Sequence, residues 1–409
     1  MKRLFSLLAA LLCLAAAAQD FSVNPERAAN ERYLYQYLES PLKLPAPKGY
    51  KLFYISHYGR HGSRTNVGDS EQKKLLKYLG EGHLTPEGEA LLKDVQVMDS
   101  LMNGAVGALT TKGIEQHTVI ARGMYKRAPS LFGSKGRVRA VSSTVQRCIL
   151  SMTAFTNELM RLSPKTPLTV DTKDGLMKVL TVKTPKWQKA FLDSLLKTDE
   201  PHGCDTMRLK ELLFDDPSAY PAKWKSLVSC VYGLAAVAQD IEGAPYMMKY
   251  LTPEELRYRW KRSNRFFYLK NCANSISGKS VIPYSGPLAN EIVSKADDAI
   301  AGNGVTVDLR FGHDFPVLTL LSLMGADVVP PIDSLEELDL KYKGWEVTPM
   351  AANIQLYFFR NKKDDVIVWP LLNEHPINIP TLTPVCNGCY RWGEMKELIY
   401  NNLNQYSES

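Results

Sequence analysis

The stretch Lys51-Leu52-Phe53-Tyr54-Ile55-Ser56-His57-Tyr58-Gly59-Arg60-His61-Gly62-Ser63-Arg64-Thr65 governs the reading of the whole 409-residue chain. Its first seven residues, Lys51 to His57, are rich in aromatic and apolar side chains, as in a buried strand. Directly after them come Arg60, His61, Gly62 and Arg64. The end of a strand in an α/β sheet is where ligands are usually bound. A bare imidazole can attack phosphorus to give a phosphohistidine, which water then hydrolyses. The electrophile is anionic, so its charge must be neutralised, and guanidinium groups do this best because each grips two phosphate oxygens in a fork. Gly62 allows the backbone to come close to a ligand. A surface loop with solvated arginines is the plain alternative. The full pattern after a buried strand weighs against it.

Working outward, helices and strands alternate. Thr85-Pro86-Glu87 is a helix start with Pro at the first helical position, and the helix carries Leu91, Leu92, Val95, Met98 and Leu101 on one face. A second helix is predicted from about Thr111 to Arg127, a strand over Arg137 to Ser142, and a helix over Thr144 to Leu159. From about residue 160 to 285 helical pieces alternate with breaks at Pro185, Pro201, Pro217, Pro221, Pro245 and Pro253, with no clear strand. The alternation then resumes with a strand over Val305 to Phe311 and a helix over Pro316 to Met324, capped by Gly325. Ile354 to Arg360 and Val366 to Leu371 read as a hairpin turning at Asn361-Lys362-Lys363-Asp364-Asp365. The expectation is an α/β fold with a mostly parallel central sheet and an inserted α-helical cap. Residues 19–160 and 286–409 would form the α/β unit and 161–285 the mainly helical insertion.

The chain is 45% hydrophobic and 23% charged, the balance of a globular protein with a sizeable core. Lys2 and Arg3, the apolar run Leu4 to Leu14 and Ala15 to Ala18 read as a signal peptide over residues 1–18, so export to a periplasm or the exterior is expected. The run is short for a membrane span, and Leu12 before Cys13 speaks against a lipid anchor. Beyond the leader stand six cysteines, Cys148, Cys204, Cys230, Cys272, Cys386 and Cys389; export permits disulfides among them, with the connectivity open. The formal net charge of +7, two units of which sit in the leader, suits a small anionic substrate. It is too diffuse for nucleic acid, and no basic arm, zinc finger or RNP-like motif is present.

Three further segments follow in order. Leu109-Thr110-Thr111-Lys112-Gly113-Ile114-Glu115-Gln116-His117 opens the second helix. Ser143-Thr144-Val145-Gln146-Arg147 follows a strand, and His313-Asp314 follows another. Together with Arg60-His61-Gly62-Ser63-Arg64, these segments resemble those of the histidine acid phosphatase family, in the branch of phytases and multiple inositol polyphosphate phosphatases. The likeness covers about residues 50–160 and 305–395. Independent motifs in order are far more specific than any one of them.

The resemblance implies a phosphoglycerate-mutase-like sheet and hydrolysis of phosphomonoesters without a metal or other cofactor. It implies that His61 is the nucleophile and that Arg60, Arg64, Arg147 and His313 hold the scissile phosphate. Asp314 would protonate the departing alkoxide, a poor leaving group without a proton. Asp314 also reads as a helix N-cap, and both roles are compatible. Inositol polyphosphate phosphatases of the family show His-Ala-Glu, whereas Phe315 stands here where that acid would be; His-Asp is the commoner pattern of phytases and general acid phosphatases. Leu371-Leu372-Asn373-Glu374 and the terminal cysteine pair lean the other way. Phytate and related inositol phosphates lead as substrates, a broad acid or sugar phosphatase is the alternative, and a non-catalytic phosphate-binding protein is the remote one.

Other candidates read more plainly. His57 and His117 are expected in the core, and His83, His202 and His375 have no ligand spacing. The run Arg257, Arg259, Lys261, Arg262 and Arg265 reads first as a solvated helix face and second as a cap surface meeting a polyphosphate. Arg310 is a candidate for a secondary substrate contact unless strand alternation turns it away. No membrane insertion is expected, and a monomer is the expected state.

Overall fold

The computed structural model describes residues 20–45, 47–182, 186–195, 203–218, 223–277 and 281–408. The leader over residues 1–18, together with Pro185, Pro201, His202 and Pro221, lies outside the described residues.

The aromatic run forms β1, Lys51–Arg60, three residues longer than expected. The other strands are β2 Val138–Ser142, β3 Leu168–Thr172, β4 Val307–Gly312, β5 Asn353–Arg360, β6 Val366–Leu372, β7 His375–Pro376 and β8 Tyr390–Arg391. They pair in the order β3-β2-β4-β1-β5-β6-β7, with β8 on β6. Pairing is parallel from β3 through β2 and β4 to β1, and antiparallel between β1 and β5, β5 and β6, β6 and β7, and β6 and β8. The sheet is therefore mixed rather than mostly parallel. The cause is the predicted hairpin: β5 enters beside β1 in the opposite sense, and the turn at Asn361–Asp365 folds β6 back onto it.

The main helices are α1 Ser70–Gly80, α2 Pro86–Met102, α3 Thr111–Arg127, α4 Gln146–Leu162, α5 Trp224–Ala238, α6 Pro253–Asn271, α7 Gly286–Ile300, α8 Asp314–Leu323 and α9 Trp392–Glu408. Three of them begin on threonine caps: Thr85, the start expected from the sequence, accepts from Gly88 N ahead of α2, Thr110 from Gly113 N ahead of α3 and Thr252 from Glu255 N ahead of α6. Met324 ends α8 and Gly325 follows at φ +65°, a backbone conformation that suits glycine.

Alternation along the strands divides the core. Ile55, Leu309 and Phe311 pack with Ile120 and Met124 of α3 and Met152, Phe155 and Leu159 of α4. Tyr54, Tyr58, Leu356 and Phe358 pack with Ile292 of α7, Leu320 of α8 and Met395 of α9 on the opposite face. A third cluster is mainly helical and joins Leu75 of α1, Val95 of α2, Val231 of α5 and Trp260 of α6 to Phe21 and Trp345. It draws α1 and α2, placed in the α/β part by sequence, into the same body as α5 and α6.

Strand β3 lies inside the stretch expected to hold no strand. It sits at the sheet edge and is half exposed, so Leu168-Thr169-Val170-Asp171-Thr172 lacks the apolar signature of a buried strand. The basic run of α6 is half-buried rather than freely solvated, with Arg265 buried. Arg265 grips Asp339 with two hydrogen bonds of 2.9 and 2.6 Å, Lys261 lies 3.4 Å from the same carboxylate, and Arg259 lies over the Tyr232 ring at 5.1 Å.

Arg310 needs correction as a substrate contact. It occupies an even position of β4, on the α7 face of the sheet, and is fully buried. Its Nε pairs with Glu291 of α7, and its Nη1 donates to Ser56 Oγ at 3.0 Å and to the His57 carbonyl at 3.4 Å. Removing one partner of a buried ion pair strands the other charge. The substitution Glu291→Ala is therefore expected to cost about 3–5 kcal/mol in urea denaturation while the folded fraction keeps its phosphate affinity. An unchanged denaturation midpoint would show that Arg139 and Asp308 alone sustain the network.

Candidate active site

Register brings the three motif loops together. In β1 and β4, Arg60 pairs with Gly312; in β2 and β4, Ser142 pairs with Phe311. All three strands run parallel, so the chain leaves them at one edge of the sheet. His61 to Arg64, Ser143 to Arg147 and His313-Asp314 emerge side by side at the carboxyl ends, the usual ligand edge of such sheets.

The first loop is held by backbone contacts. Gly62 N donates to Ser151 Oγ at 3.1 Å, Thr65 N to the Ala108 carbonyl at 3.0 Å, and Thr110 N to the Ser63 carbonyl at 2.9 Å. Gly62 and Gly113 pass backbone to backbone: a Cβ on Gly62 would meet the Gly113 carbonyl at 2.5 Å, and one on Gly113 would meet the Ser63 carbonyl at 2.3 Å. This close approach accounts for both glycines in the motifs.

His61 is buried, and its Nδ1 lies 2.9 Å from the Gly62 carbonyl. A carbonyl only accepts, so Nδ1 carries the proton and Nε2 keeps its lone pair. Burial first, then the charges of Arg60, Arg64 and Arg147, hold its pKa well below the usual histidine value. The imidazole is thus a neutral base among fixed cations. His313 stands across from it, the two rings edge to face at 5.8 Å. Burial pushes His313 down to about 4, against the pull of Asp314.

Arg60 and Arg64 are buried and Arg147 is half-buried, with donors that the protein alone does not satisfy. Arg60 Nη1 donates to the carbonyls of Glu31, Thr348 and Pro349, the last two at 2.8 and 3.2 Å, while Nη2 lies 3.0 Å from Asp314 Oδ2. Arg64 Nη1 donates to the Thr65 carbonyl at 2.9 Å. The Nε groups of Arg60, Arg64 and Arg147 are buried and have no hydrogen-bond partner among the described residues. Buried polar groups are normally paired, so three such donors at one place have the chemistry to receive an anion. Burial and the neighbouring Arg32, Arg60 and Arg147 push Arg64 down to about 9, a sign of unrelieved positive charge.

Asp314 is the first residue of α8, and His313 takes the cap position instead. Burial pushes its carboxyl up, but Arg60, His313 and Arg64 together outweigh burial and hold it below the usual carboxylate range. Tyr58 braces the loop: its hydroxyl accepts from His313 N at 3.0 Å and donates to the Leu180 carbonyl at 2.8 Å. Cys148, next to Arg147, donates its thiol to the Gly312 carbonyl at 3.1 Å; all six cysteines beyond the leader are free thiols here.

The structure thus gathers Arg60, His61, Arg64, Arg147, His313 and Asp314 and leaves Arg310 outside. His57 and His117 are buried against Phe155 and Phe311, clear of the pocket chemistry. Among the described residues, no group of three or more His, Cys, Asp or Glu could hold a metal ion, and no helix is long and apolar enough to cross a membrane.

Three nearby groups escaped the sequence reading. Lys270 of α6 is buried with its ammonium over the Phe315 ring at 3.6 Å, and burial pushes it down to about 8 against the pull of Asp314. Arg32 donates to Asn66 Oδ1 and the Gly233 carbonyl, each at 3.2 Å, and its charge bears on Arg64. Asp240 is fully buried and accepts from Ser63 Oγ at 2.6 Å. None stands in a motif; for Lys270 the only signal was its place in the basic, aromatic-rich helix.

The chain matches no protein-family model and no curated protein. Solved structures do match. The apo multiple inositol polyphosphate phosphatase of Bifidobacterium longum has a TM-score of 0.72 at 16% identity, over 91% of this chain and 97% of that one. The same protein in complex with inositol hexasulfate has a TM-score of 0.71 at 17% identity, over the same shares. The phytase from D. castellii has a TM-score of 0.68 at 14% identity, over 92% of this chain and 84% of that one. At such identities the likeness establishes a shared fold, a central sheet flanked by helices.

Buried histidines make a test of the empty site. In the unfolded chain an imidazole takes its proton near 6.5, whereas His313 waits until about 4, His117 until about 3, and His57 and His61 lie well below the usual value. Over that window the unfolded state binds more protons, so stability falls as the pH falls. Asp240, raised by burial to about 7, works in the opposite sense from 3.8 upward, but is one group against four. The melting temperature is expected to be lower at about pH 4.5 than at about pH 6.5, and saturating inorganic phosphate should narrow the gap. A melting temperature that rises on acidification would contradict this account.

Proposed function

We propose that this chain is a histidine-dependent phosphomonoesterase acting on phytate and related inositol polyphosphates. The observation that carries the reading is the neutral, oriented His61 surrounded by buried guanidinium donors without protein partners. The fold shared with a multiple inositol polyphosphate phosphatase and with phytases supports it.

In the proposed reaction Arg60, Arg64, Arg147 and His313 hold the phosphate oxygens and neutralise their charge. His61 Nε2 attacks phosphorus. The new P–N bond forms as the ester P–O bond breaks, and the electron pair leaves with the alkoxide oxygen. Asp314 gives that oxygen a proton. Water then attacks the phosphohistidine, the P–N bond breaks, and Asp314 takes up the proton of the attacking water. In the empty site Asp314 sits against Arg60 and is held ionised. A bound phosphate engages Arg60 and adds negative charge beside Asp314, raising its affinity for the proton it must donate. Lys270 and Arg32 lie near enough to feel Asp314 and Arg64, and offer cations for further phosphates of the same substrate.

The test is release of inorganic phosphate from phytate at mildly acidic pH, beside p-nitrophenyl phosphate. His61→Ala is expected to abolish turnover of both, by roughly three orders of magnitude or more. Asp314→Asn should lower phytate turnover by about 10²–10⁴-fold yet cost far less on p-nitrophenyl phosphate, whose leaving group departs without a proton. Turnover of p-nitrophenyl phosphate alone by the unaltered protein would move the substrate to simpler esters. Full phytate activity in His61→Ala would sink the mechanism.

A further inference from the structure

Beneath the Arg60–Arg64 loop lies a carboxyl group that the reaction just described does not use. Asp240 follows the C-terminus of α5 and is fully buried. Its Oδ1 accepts from Ser63 Oγ at 2.6 Å, and its Oδ2 has no hydrogen-bond partner among the described residues. Ser63 Oγ in turn accepts from Gln116 Nε2 at 2.8 Å, while Ser63 N donates to Gln116 Oε1 at 2.8 Å. The Ser63 carbonyl accepts from Thr110 N at 2.9 Å and from Thr110 Oγ1 at 3.1 Å. Every polar group of Ser63 is engaged, and Ser63 is the residue between His61-Gly62 and Arg64. Around the carboxyl stand the charges of Arg64 and Arg60 from the loop and Arg32 from the amino-terminal arm. Lys112 of α3 donates to the adjacent Gln239 carbonyl at 2.6 Å.

We propose that Asp240 is a positioning residue that, by fixing Ser63, sets the spacing of His61 and Arg64 and so ties phosphate affinity to the helical body. The inference rests on the phosphate-site reading above. A hydroxyl whose acceptor is removed would turn to compete for its neighbours, and the two-point clasp of Gln116 on Ser63 would loosen. The peptide that carries Arg64 would then lose the support that holds its guanidinium toward the anion.

The chemistry of the acceptor is specific. Burial pushes the Asp240 carboxyl up to about 7, although Ser63 and the three arginines pull it down. In mild acid it therefore keeps its proton, still accepts from Ser63 through Oδ1, and adds no negative charge beside the arginines. Once ionised it becomes an anion facing Arg64 and Arg60, in competition with phosphate. Asparagine has the same shape and one accepting oxygen and never ionises, so it mimics the protonated acid.

Binding of inorganic phosphate, measured by calorimetry, tests this without requiring turnover. At about pH 5, Asp240→Ala and Ser63→Ala should each weaken phosphate affinity about tenfold, the worth of one buried hydrogen bond. The double variant should be no weaker than the worse single one, because both act through the same contact. Asp240→Asn should stay within about twofold of the unaltered protein, which in turn should lose affinity more steeply than Asp240→Asn as the pH rises through about 7. Thermal unfolding of each variant confirms that a folded protein is being titrated. A folded Asp240→Ala that binds phosphate normally would overturn the proposal, as would losses that multiply in the double variant. Should the alanine at 240 prevent folding, Ser63→Ala decides: weakened binding supports the proposal and normal binding overturns it. Protein that binds phosphate as described yet hydrolyses no ester would refute the hydrolase reading and leave this one standing.

Discussion

Parallel pairing of β1, β4 and β2 is the constraint on which the site depends. Those strands end level with one another, Arg60 beside Gly312 and Phe311 beside Ser142. Three segments far apart in the chain therefore begin at neighbouring points, and each needs only a few residues to reach the same space. The hydrogen-bond ladder supplies the geometry, and the two faces of the sheet supply its rigidity. Phe311 and Leu309 anchor one side against α3 and α4, Tyr58 and Tyr54 the other against α7, α8 and α9. A shift of register by one residue would turn every one of these side chains to the opposite face.

On that frame the electrostatics are deliberately unbalanced. Arg127, Arg265 and Arg310 are buried too, but each meets a carboxylate, of Glu374, Asp339 and Glu291 respectively. At the candidate site Arg60, Arg64 and Arg147 share Asp314 as their near carboxylate, and each keeps a buried Nε–H unpaired. Arg310 Nη2 is also buried without a partner among the described residues, so the contrast lies in the carboxylates: each of those three arginines meets its own, whereas Arg60, Arg64 and Arg147 share one. Burial first, and then this excess of positive charge, keep His61 neutral, since a proton there would add to an already uncompensated cluster.

The helical body takes part in this arrangement rather than merely covering it. Asp240 at the end of α5 reaches Ser63, Lys270 of α6 lies over Phe315, and Arg32 of the amino-terminal arm bears on Arg64. Each comes from a segment with no recognisable motif. Their contribution follows from packing, since Val231 of α5 and Trp260 of α6 belong to the same buried cluster as Val95 of α2.

The sequence by itself determined the local chemistry. The aromatic run Lys51 to His57 had to be a buried strand, Thr85-Pro86 had to start a helix, and Arg60-His61-Gly62-Ser63-Arg64 had to sit at a strand end. Each of those readings depends on side-chain type and short-range spacing, which period and capping express directly. Tertiary structure decided the rest. It paired β5 against β1 and so made the sheet mixed, and it placed half-exposed β3 at an edge where no apolar pattern was needed. It also turned Arg310 onto Glu291, because only the pairing of β4 and the seat of α7 settle which face an even position serves. Asp240, Lys270 and Arg32 gained their meaning only through partners distant in the chain. Burial and the unpaired donors of the arginines are properties of that three-dimensional packing, and no spacing along the chain encodes them.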